Sequence, residues 1–335
     1  MTAAPGGKPL KRRAFIAGAA GLLAGSPLLL LAPRGEGRRV LPAPAVVSAV
    51  EPQAVPTRLA LSGVARDGPP PQLLASTGTV QQGGALLVTV TSALAGRATF
   101  LGREIELVPT GEQIDGLSGV GVGDSPGSTL LTAEFTDLQG QPRVLSRPVR
   151  VVRTDWDVEY IIIPPPPPPD PDAPPPPPPP PSEEPLLPRL YARRTERRWT
   201  PGWAAPLDLP LNVTGLFGTQ RSFDGGPVGG HHGGTDFGAN AGSNIYATNA
   251  GVVVLSGLYR IRGNVVMVDH GSGVLSLYGH MVDRAVSTGD VVSNGQVLGY
   301  VGSTGLSTGA HLHWEMGVMG VLVDGLRWLD GSQGF

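Results

Sequence analysis

The sequence predicts an all-β protein with two β domains and a proline-rich linker between them. Strand-length apolar runs recur about every ten residues and are separated by glycine, proline and aspartate, which is typical of antiparallel β-structure. Glycine and proline account for 49 and 36 of the 335 residues, a composition that suits turns and extended linkers better than helical bundles. The net charge of -2 excludes a strongly basic nucleic-acid-binding protein.

Residues 1–45 have the composition of an export signal. Four basic residues between Lys8 and Arg13 precede a chargeless run rich in alanine, glycine and leucine. The segment from Arg12 to Ile16 resembles a twin-arginine signal. The alternative is an uncleaved anchor, because about 20 apolar residues also span a bilayer. Both interpretations predict an extracytoplasmic protein (periplasm, cell wall or secreted), with residues 46–57 as a tether.

Residues 58–154 are predicted to form an immunoglobulin-like β-sandwich. Alternating apolar runs such as 85–90, 129–135 and 149–152 have the length of strands, and turn residues separate them. The glycine-rich segment 119–127 resembles the immunoglobulin-like modules found ahead of cell-wall peptidase domains. The region contains no histidine and no clustered carboxylates. We therefore expect a spacer or wall-binding module without chemistry of its own.

Residues 155–198 are predicted to be a proline-rich linker. Residues 164–181 are all proline apart from Asp170, Asp172 and Ala173. A polyproline II helix rises ~3.1 Å per residue, so this run should hold the flanking domains on the order of 50 Å apart. A ligand for proline-recognising modules is the alternative.

Residues 199–335 are predicted to form a second all-β domain, and they contain every histidine of the chain. The six histidines are His231, His232, His270, His280, His311 and His313. Because the chain has no cysteine, any metal ion must bind to histidine, aspartate or glutamate. No convincing amphipathic helix is present in this region.

The histidines and one aspartate form a pattern suited to a metal ion. The glycines between His232 and Asp236 disfavour a helix, so these two residues should lie on an extended or turned segment. His311 and His313 are two apart on a predicted strand and should share one face. Two imidazoles and one carboxylate would leave a fourth position for water, which is the ligand count of a catalytic zinc site. Each histidine alone is more often a hydrogen-bonded polar residue than a ligand.

Three further residues lie near these motifs, and two of them have two interpretations each. Strand alternation from Val274 to His280 would place Tyr278 on the same face as His280, either in a groove or packed as an ordinary strand tyrosine. Asn264 could orient an active-site group or cap a turn. Glu315 follows His313 by two residues and is expected to be structural.

Three segments resemble, in order, the motifs of the lysostaphin-type (LytM-like) zinc endopeptidases. They are residues 232–236, His-Gly-Gly-Thr-Asp; residues 264–281, from Asn264 to Met281; and residues 302–315, which include His-Leu-His-Trp-Glu. The resemblance covers roughly residues 212–330. Ala310 stands where the family usually has proline, and Met281 where leucine is common. Both departures concern strand shape and leave the histidines and the aspartate untouched.

The resemblance implies a role for each polar residue of the motifs. Transferred residue by residue, it makes His232, Asp236 and His313 the ligands of Zn²⁺. It makes His280 and His311 the two unligated catalytic histidines. It also implies a LytM-like antiparallel β-sheet peptidase domain, preceded here by the immunoglobulin-like module.

The expected function is an exported zinc metalloendopeptidase that cuts peptidoglycan stem peptides or bridges. We expect a monomer without a nucleic-acid partner, whose mature form stays off the membrane unless the signal is retained. The first alternative is a non-catalytic regulator of cell-wall amidases on the same fold, although such regulators usually lack a metal ligand. The second is an adhesion or wall-scaffold protein in which the module and the proline run matter most.

Overall fold

The computed structural model of the chain describes residues 68–162 and 177–331, which fold as a nearly all-β protein. The all-β prediction is confirmed. The predicted export signal and tether, and most of the proline run, lie outside the described residues. None of the helices in the described ranges has the length and apolar character that crossing a bilayer requires.

The N-terminal module, residues 68–152, contains eight strands. They are β1 (Leu73–Ala75), β2 (Thr79–Gln81), β3 (Ala85–Thr91), β4 (Ala93–Phe100), β5 (Arg103–Pro109), β6 (Gln113–Gly119), β7 (Gly127–Asp137) and β8 (Pro142–Val152). Their order in the sheet is β1-β3-β6-β5-β4-β7-β8-β2. All neighbours are antiparallel except β2 and β8. The assignment of this module as immunoglobulin-like stays a prediction.

The core of the module follows from strand alternation. Leu86, Val88 and Val90 on β3 are fully buried, whereas the intervening Thr89 turns outward and donates to the carboxylate of Asp115 at 2.6 Å. Apolar side chains from the other strands complete one cluster of aliphatic and phenylalanine residues. The alternating runs in the sequence therefore account for this half of the fold.

The C-terminal domain consists of a large sheet with short additions. Its elements are α1 (Leu187–Tyr191), β10 (Val213–Gly215), β11 (Gln220–Phe223), β12 (Thr235–Gly238), β13 (Asn244–Tyr246), β14 (Gly251–Tyr259), β15 (Gly263–Gly271), β16 (Val274–Arg284), β17 (Val291–Val292), β18 (Val297–Val301), β19 (His311–Val318), β20 (Val321–Val323) and α2 (Leu326–Leu329). The main path of the sheet is β10-β12-β19-β16-β15-β14-β17. Strands β13, β18 and β20 attach beside it.

The central strands of this sheet are buried on both faces. Val266 and Val268 on β15 belong to one core cluster, whereas Val265 and Met267 belong to a second. This two-sided burial explains why residues 265–268 of β15 are four consecutive apolar residues instead of alternating with polar ones. The second cluster is closed by Tyr191 and its neighbours on α1, so this helix forms part of the domain core.

The module and the domain touch directly. The backbone N–H of Asp324 donates to the carbonyl of Gly83 at 2.7 Å, and Ala85 belongs to the core cluster of the domain. After the module, strand β9 (Val158–Ile161) pairs in parallel with β11. The expected separation of about 50 Å is therefore wrong. Long-range contacts join the two parts, and those contacts were not visible in the proline composition.

Candidate metal centre

Strand pairing brings the first and last motifs together. In the register between β12 and β19, Asp236 lies directly opposite His313. Just before β12 the chain passes so close to β19 that a Cβ on Gly234 would meet the carbonyl oxygen of Trp314 at 2.4 Å. Glycine at this position lets His232 approach the same point. The turned segment expected from the glycines is therefore what the structure shows.

Three ligand atoms from His232, Asp236 and His313 form a compact triangle. The Nε2 atom of His232 lies 3.1 Å from Oδ1 of Asp236 and 3.1 Å from Nδ1 of His313, and the last two atoms are 2.7 Å apart. Tetrahedral zinc with bonds of about 2.0–2.1 Å separates its ligands by roughly 3.3 Å. The predicted ligands thus form a group that could hold a metal ion.

The second polar atom of each of these side chains already has a partner. Nδ1 of His232 donates to the carbonyl of Leu216 at 3.0 Å. Oδ2 of Asp236 accepts from Nη2 of Arg221 at 2.7 Å. Nε2 of His313 donates to the carboxylate of Glu315 at 2.9 Å. These bonds favour the ring tautomers in which, with a metal ion bound, Nε2 of His232 and Nδ1 of His313 would offer lone pairs to the common point.

The charges of the cluster suit a cation. Burial by itself would raise the pKa of Asp236, but hydrogen bonds from His232 and His313 outweigh it and hold the pKa far below its usual range. Burial by itself would lower the pKa of His313, but the carboxylates of Asp236 and Glu315 raise it. A buried carboxylate thus faces two imidazole nitrogens, and a divalent cation would satisfy all three atoms at once.

His280 reaches the cluster because the pairing of β16 with β15 has a β-bulge or irregularity at this residue. Its φ is +62°, in the left-handed region, and its N–H donates to the carbonyl of Arg262. The amide of Asn264 donates to the carbonyls of Met281 and Val282 at 3.2 and 3.0 Å. Asn264 therefore holds the backbone beside His280, which is the orienting role that the sequence left open.

The expectation that Tyr278 shares a face with His280 is wrong. Tyr278 is fully buried in the core, and its hydroxyl lies 2.9 Å from both Thr248 and Ser276. Ser276 in turn contacts Nε2 of His270 at 2.7 Å. Regular alternation would have sent His280 into this same buried network, but the left-handed residue turns its side chain to the opposite face.

His280 and His311 lie side by side next to the ligand cluster. Their ring centroids are 4.6 Å apart, and Nε2 of His311 is 3.9 Å from Oδ1 of Asp236. Nδ1 of His280 donates to the carbonyl of Thr304, and Nδ1 of His311 to that of Gly309, each at 2.8 Å. In both rings Nε2 is therefore the nitrogen left for chemistry. Burial, followed by the charge of His313, lowers the pKa of His280 to about 4.

A groove of about 760 Å³ contains the cluster and both of these histidines. One side is built by Ile161 on β9 and Phe223 on β11. Another is built by residues 306–309, a turn of small side chains apart from the exposed Leu306. The five predicted site residues thus lie in a single groove, while their individual roles stay predictions.

Sequence reasoning missed the buried partners of the ligands. Glu315 is fully buried on His313, and its two-residue spacing on one strand face was the available signal. Burial alone would raise the pKa of Glu315, but Arg262 and His313 lower it to about 2. No sequence pattern indicated Arg221 or Arg262. Arg221 lies in a different segment from Asp236, and Arg262 lies in a different segment from Glu315, which binds His313.

The middle of the C-terminal domain matches a known family. Residues 230–325 match the family described as Peptidase family M23. The peptidoglycan DD-endopeptidase ShyA of Vibrio cholerae serotype O1 is 34% identical over 122 residues, which is 36% of this chain and 28% of ShyA. The murein hydrolase activator EnvC of Escherichia coli K12 is 37% identical over 92 residues, which is 28% of this chain and 22% of EnvC.

A solved structure is also similar to part of this chain. The catalytic domain of the antimicrobial peptidase lysostaphin from Staphylococcus simulans is 28% identical, with a TM-score of 0.32. The match covers 36% of this chain and 92% of that one. The curated relatives named above are much longer than the matched region, since the chain spans less than a third of their length.

Proposed function

Residues 230–325 form a peptidase family M23 (LytM-type) domain, and from this premise we propose an exported zinc metalloendopeptidase that hydrolyses peptide cross-links of peptidoglycan. One observation carries the proposal. Three ligand atoms from His232, Asp236 and His313 lie 2.7–3.1 Å apart, and two unligated histidines adjoin them in one groove.

The three ligand atoms fit a zinc ion in number, type and spacing. Two imidazole nitrogens and one carboxylate oxygen are the protein ligands of many hydrolytic zinc sites, with a further position left for water. Zinc bound there would supply a Lewis acid for a peptide carbonyl and would lower the pKa of water from ~15.7 towards ~7.

His280 and His311 supply the proton transfers. His280 is neutral at pH 7 because its pKa is about 4, and its Nδ1–H is committed to Thr304. Its Nε2 therefore carries a lone pair that can accept a proton from the attacking water. The proton that Nε2 of His280 accepts can then pass from the same nitrogen to the leaving amine. His311, at 4.6 Å between ring centroids, can donate to the oxyanion from Nε2 when its ring is protonated. The two histidines can also exchange these tasks.

The substrate assignment rests on the groove and on the relatives. Gly229, Gly230 and residues 307–309 line the groove with small side chains, which admits an extended peptide with little bulk. ShyA is named a peptidoglycan DD-endopeptidase. The predicted export signal would bring this chain to the cell wall, so stem-peptide cross-links or bridges are the proposed substrates.

The competing candidate is a non-catalytic regulator of cell-wall amidases, because EnvC is named a murein hydrolase activator. A regulator has no need of metal ligands or catalytic histidines. Here all five positions carry the residues that hydrolysis requires. Hydrolysis is therefore the stronger proposal.

Incubation of the exported form with purified peptidoglycan tests the proposal. We expect new amino groups to appear, a chelator to stop their release, and added zinc to restore it. His313→Ala should lose both metal and turnover. His311→Ala should keep stoichiometric zinc and lose at least about a hundredfold in turnover, because a positioned acid–base group contributes ~10²–10⁴.

Two results would count against the proposal. Full activity of His311→Ala at normal zinc content would remove that histidine from the mechanism. No amine release by the zinc-loaded protein, combined with stimulation of a wall amidase, would establish the regulator instead.

A further inference from the structure

Glu315 carries the densest set of hydrogen bonds around the metal centre. Its carboxylate is fully buried and accepts from Tyr191 Oη at 2.5 Å, Arg262 Nε at 2.8 Å and Nη2 at 2.5 Å, and His313 Nε2 at 2.9 Å. A buried carboxylate is costly unless every lone pair has a donor. Here the donors include a ligand histidine, so the bond also fixes the plane of that imidazole.

Arg262 joins this carboxylate to a second one. Its backbone N–H donates to Glu183 at 2.7 Å, and its guanidinium lies between Glu183, at 3.5 Å, and Glu315. Its carbonyl accepts from the N–H of His280 at 2.7 Å. One arginine thus connects the ligand His313, through Glu315, with the backbone of His280.

Two of these groups come from the segment that follows the proline run. Glu183 is fully buried although it lies within the predicted linker, and Tyr191 ends α1. Tyr191 packs so closely on β19 that a Cβ on Gly317 would meet its ring at 2.3 Å. This segment therefore has a fixed place beside the ligand strand.

A shorter series of hydrogen bonds of the same kind starts from the segment before the proline run. Glu159 on β9 accepts from Nε of Arg221 at 3.1 Å, and Nη2 of Arg221 donates to Asp236 at 2.7 Å. The side chains of Glu159 and Arg221 are 40% and 25% exposed. Solvent screens these hydrogen bonds more than those of Glu315. Their effect on metal affinity should therefore be smaller.

We propose that Glu315 is a positioning residue for His313, and that the segments on both sides of the proline run complete the metal centre through Glu183 and Tyr191 on one side and Glu159 on the other. The inference rests on the proposed zinc site. The described residues before and after the proline run then both lie beside the same domain and hold the ligands in place. Partners of this kind typically change metal affinity 10–100-fold.

Metal affinity of the full exported chain tests this directly. Zinc would be titrated in competition with a chromogenic chelator, and the cobalt-loaded protein would report the ligand geometry by its visible spectrum. We expect Glu315→Gln to weaken zinc binding about 10–100-fold and to shift the cobalt bands. Tyr191→Phe removes one donor without changing the packing and should weaken binding about threefold to tenfold.

Glu159→Gln should weaken binding by no more than about fivefold, because its ion pair is partly exposed. Tyr278→Phe is the matched control, since it also removes a fully buried hydroxyl from this domain, in a network that does not include the ligands. It should leave zinc affinity and the cobalt spectrum unchanged. If Glu315→Gln fails to fold, Tyr191→Phe against Tyr278→Phe decides the question.

The results separate this inference from the proposed function. If the parent protein binds no zinc, both the proposed function and this inference fail. A second outcome overturns only the positioning role. In that outcome the parent binds zinc and cleaves peptidoglycan, and Tyr191→Phe binds zinc as tightly as Tyr278→Phe. A folded Glu315→Gln also has the zinc affinity and cobalt spectrum of the parent.

Discussion

The two β domains differ in where they keep their charges. In the module, the arginines of the ion pairs Arg97–Glu134, Arg143–Asp137 and Arg103–Asp124 have side chains 60%, 55% and 33% exposed. Beside the metal cluster, Arg262 and Arg221 are only 17% and 25% exposed. Both domains have apolar cores and antiparallel strands, so the contrast lies in the treatment of charge.

This difference in the exposure of charged side chains reflects the cost of burying them and the role of each domain. Removing an ion pair from water costs several kcal/mol per ion unless hydrogen bonds satisfy it, so buried charge is a poor way to stabilise a fold. The module leaves the arginines of these pairs partly or largely exposed, although Asp137 itself is buried, and its core is apolar. The C-terminal domain largely buries both partners of an ion pair beside the proposed metal ligands, where Glu315 and Arg262 position side chains. Three predictions test this contrast, in addition to the experiments on the metal centre.

Phe100→Ala should produce the largest effect on stability. Phe100 is fully buried in the module core, and such a truncation costs about 3–5 kcal/mol. Urea denaturation followed by circular dichroism should show an early transition of the module. Tryptophan fluorescence should report a later one for the domain, because all five tryptophans lie at Trp156 or beyond. Zinc content should not change. A single transition in both signals would show that the two domains do not behave independently.

His270 should make the C-terminal domain sensitive to acid. Burial lowers the pKa of His270 to about 4, whereas the unfolded chain has a histidine pKa of about 6.5. Between these values the unfolded state binds a proton that the folded state does not. Stability is therefore complete above pH 6.5 and falls by up to about 3 kcal/mol as the pH approaches 4.

His270→Gln should reduce this pH dependence, measured as the difference in unfolding free energy between pH 7 and pH 4.5. The remaining slope would come from other groups, including His280, whose pKa is also about 4. An unchanged slope in the variant would contradict the prediction.

Arg97→Ala should have the smallest effect. Arg97 pairs with Glu134 on the surface of the module, and both side chains are more than half exposed. Water and salt screen such a pair, so the thermal midpoint should stay within experimental error of the parent. A clear loss of stability that disappears in high salt would show that the module also depends on its charges.

Much of the site could be predicted from the sequence, because its chemistry is carried by local motifs. The spacing of His232 and Asp236 and that of His311 and His313 identified four side chains, and the family resemblance added His280. The structure brings all five into one groove. At Gly234 the structure adds a reason for glycine, since a Cβ there would meet the carbonyl oxygen of Trp314. Alternation likewise indicated the buried face of β3 in the module.

The rest depended on contacts between distant segments. Alternation placed Tyr278 beside His280, but the left-handed residue at His280 sent the two side chains to opposite faces. Proline composition suggested a rigid separation, but β9 pairs with β11 and Gly83 binds Asp324. One residue with a positive φ can turn a side chain to the opposite face of a strand, and one long-range strand pair can bring distant segments together. The local sequence pattern indicates neither.

By itself, the sequence determined which histidine nitrogens and carboxylate oxygens are present to bind a metal. It also determined that the protein would consist of strands, because composition and periodicity are local properties. The tertiary structure alone decided that Tyr191 donates to Glu315, 124 positions further along the chain, and that Arg262 joins Glu183 to Glu315 behind His313. No local pattern specifies such a meeting, since a buried carboxylate becomes favourable only after folding has surrounded it with donors.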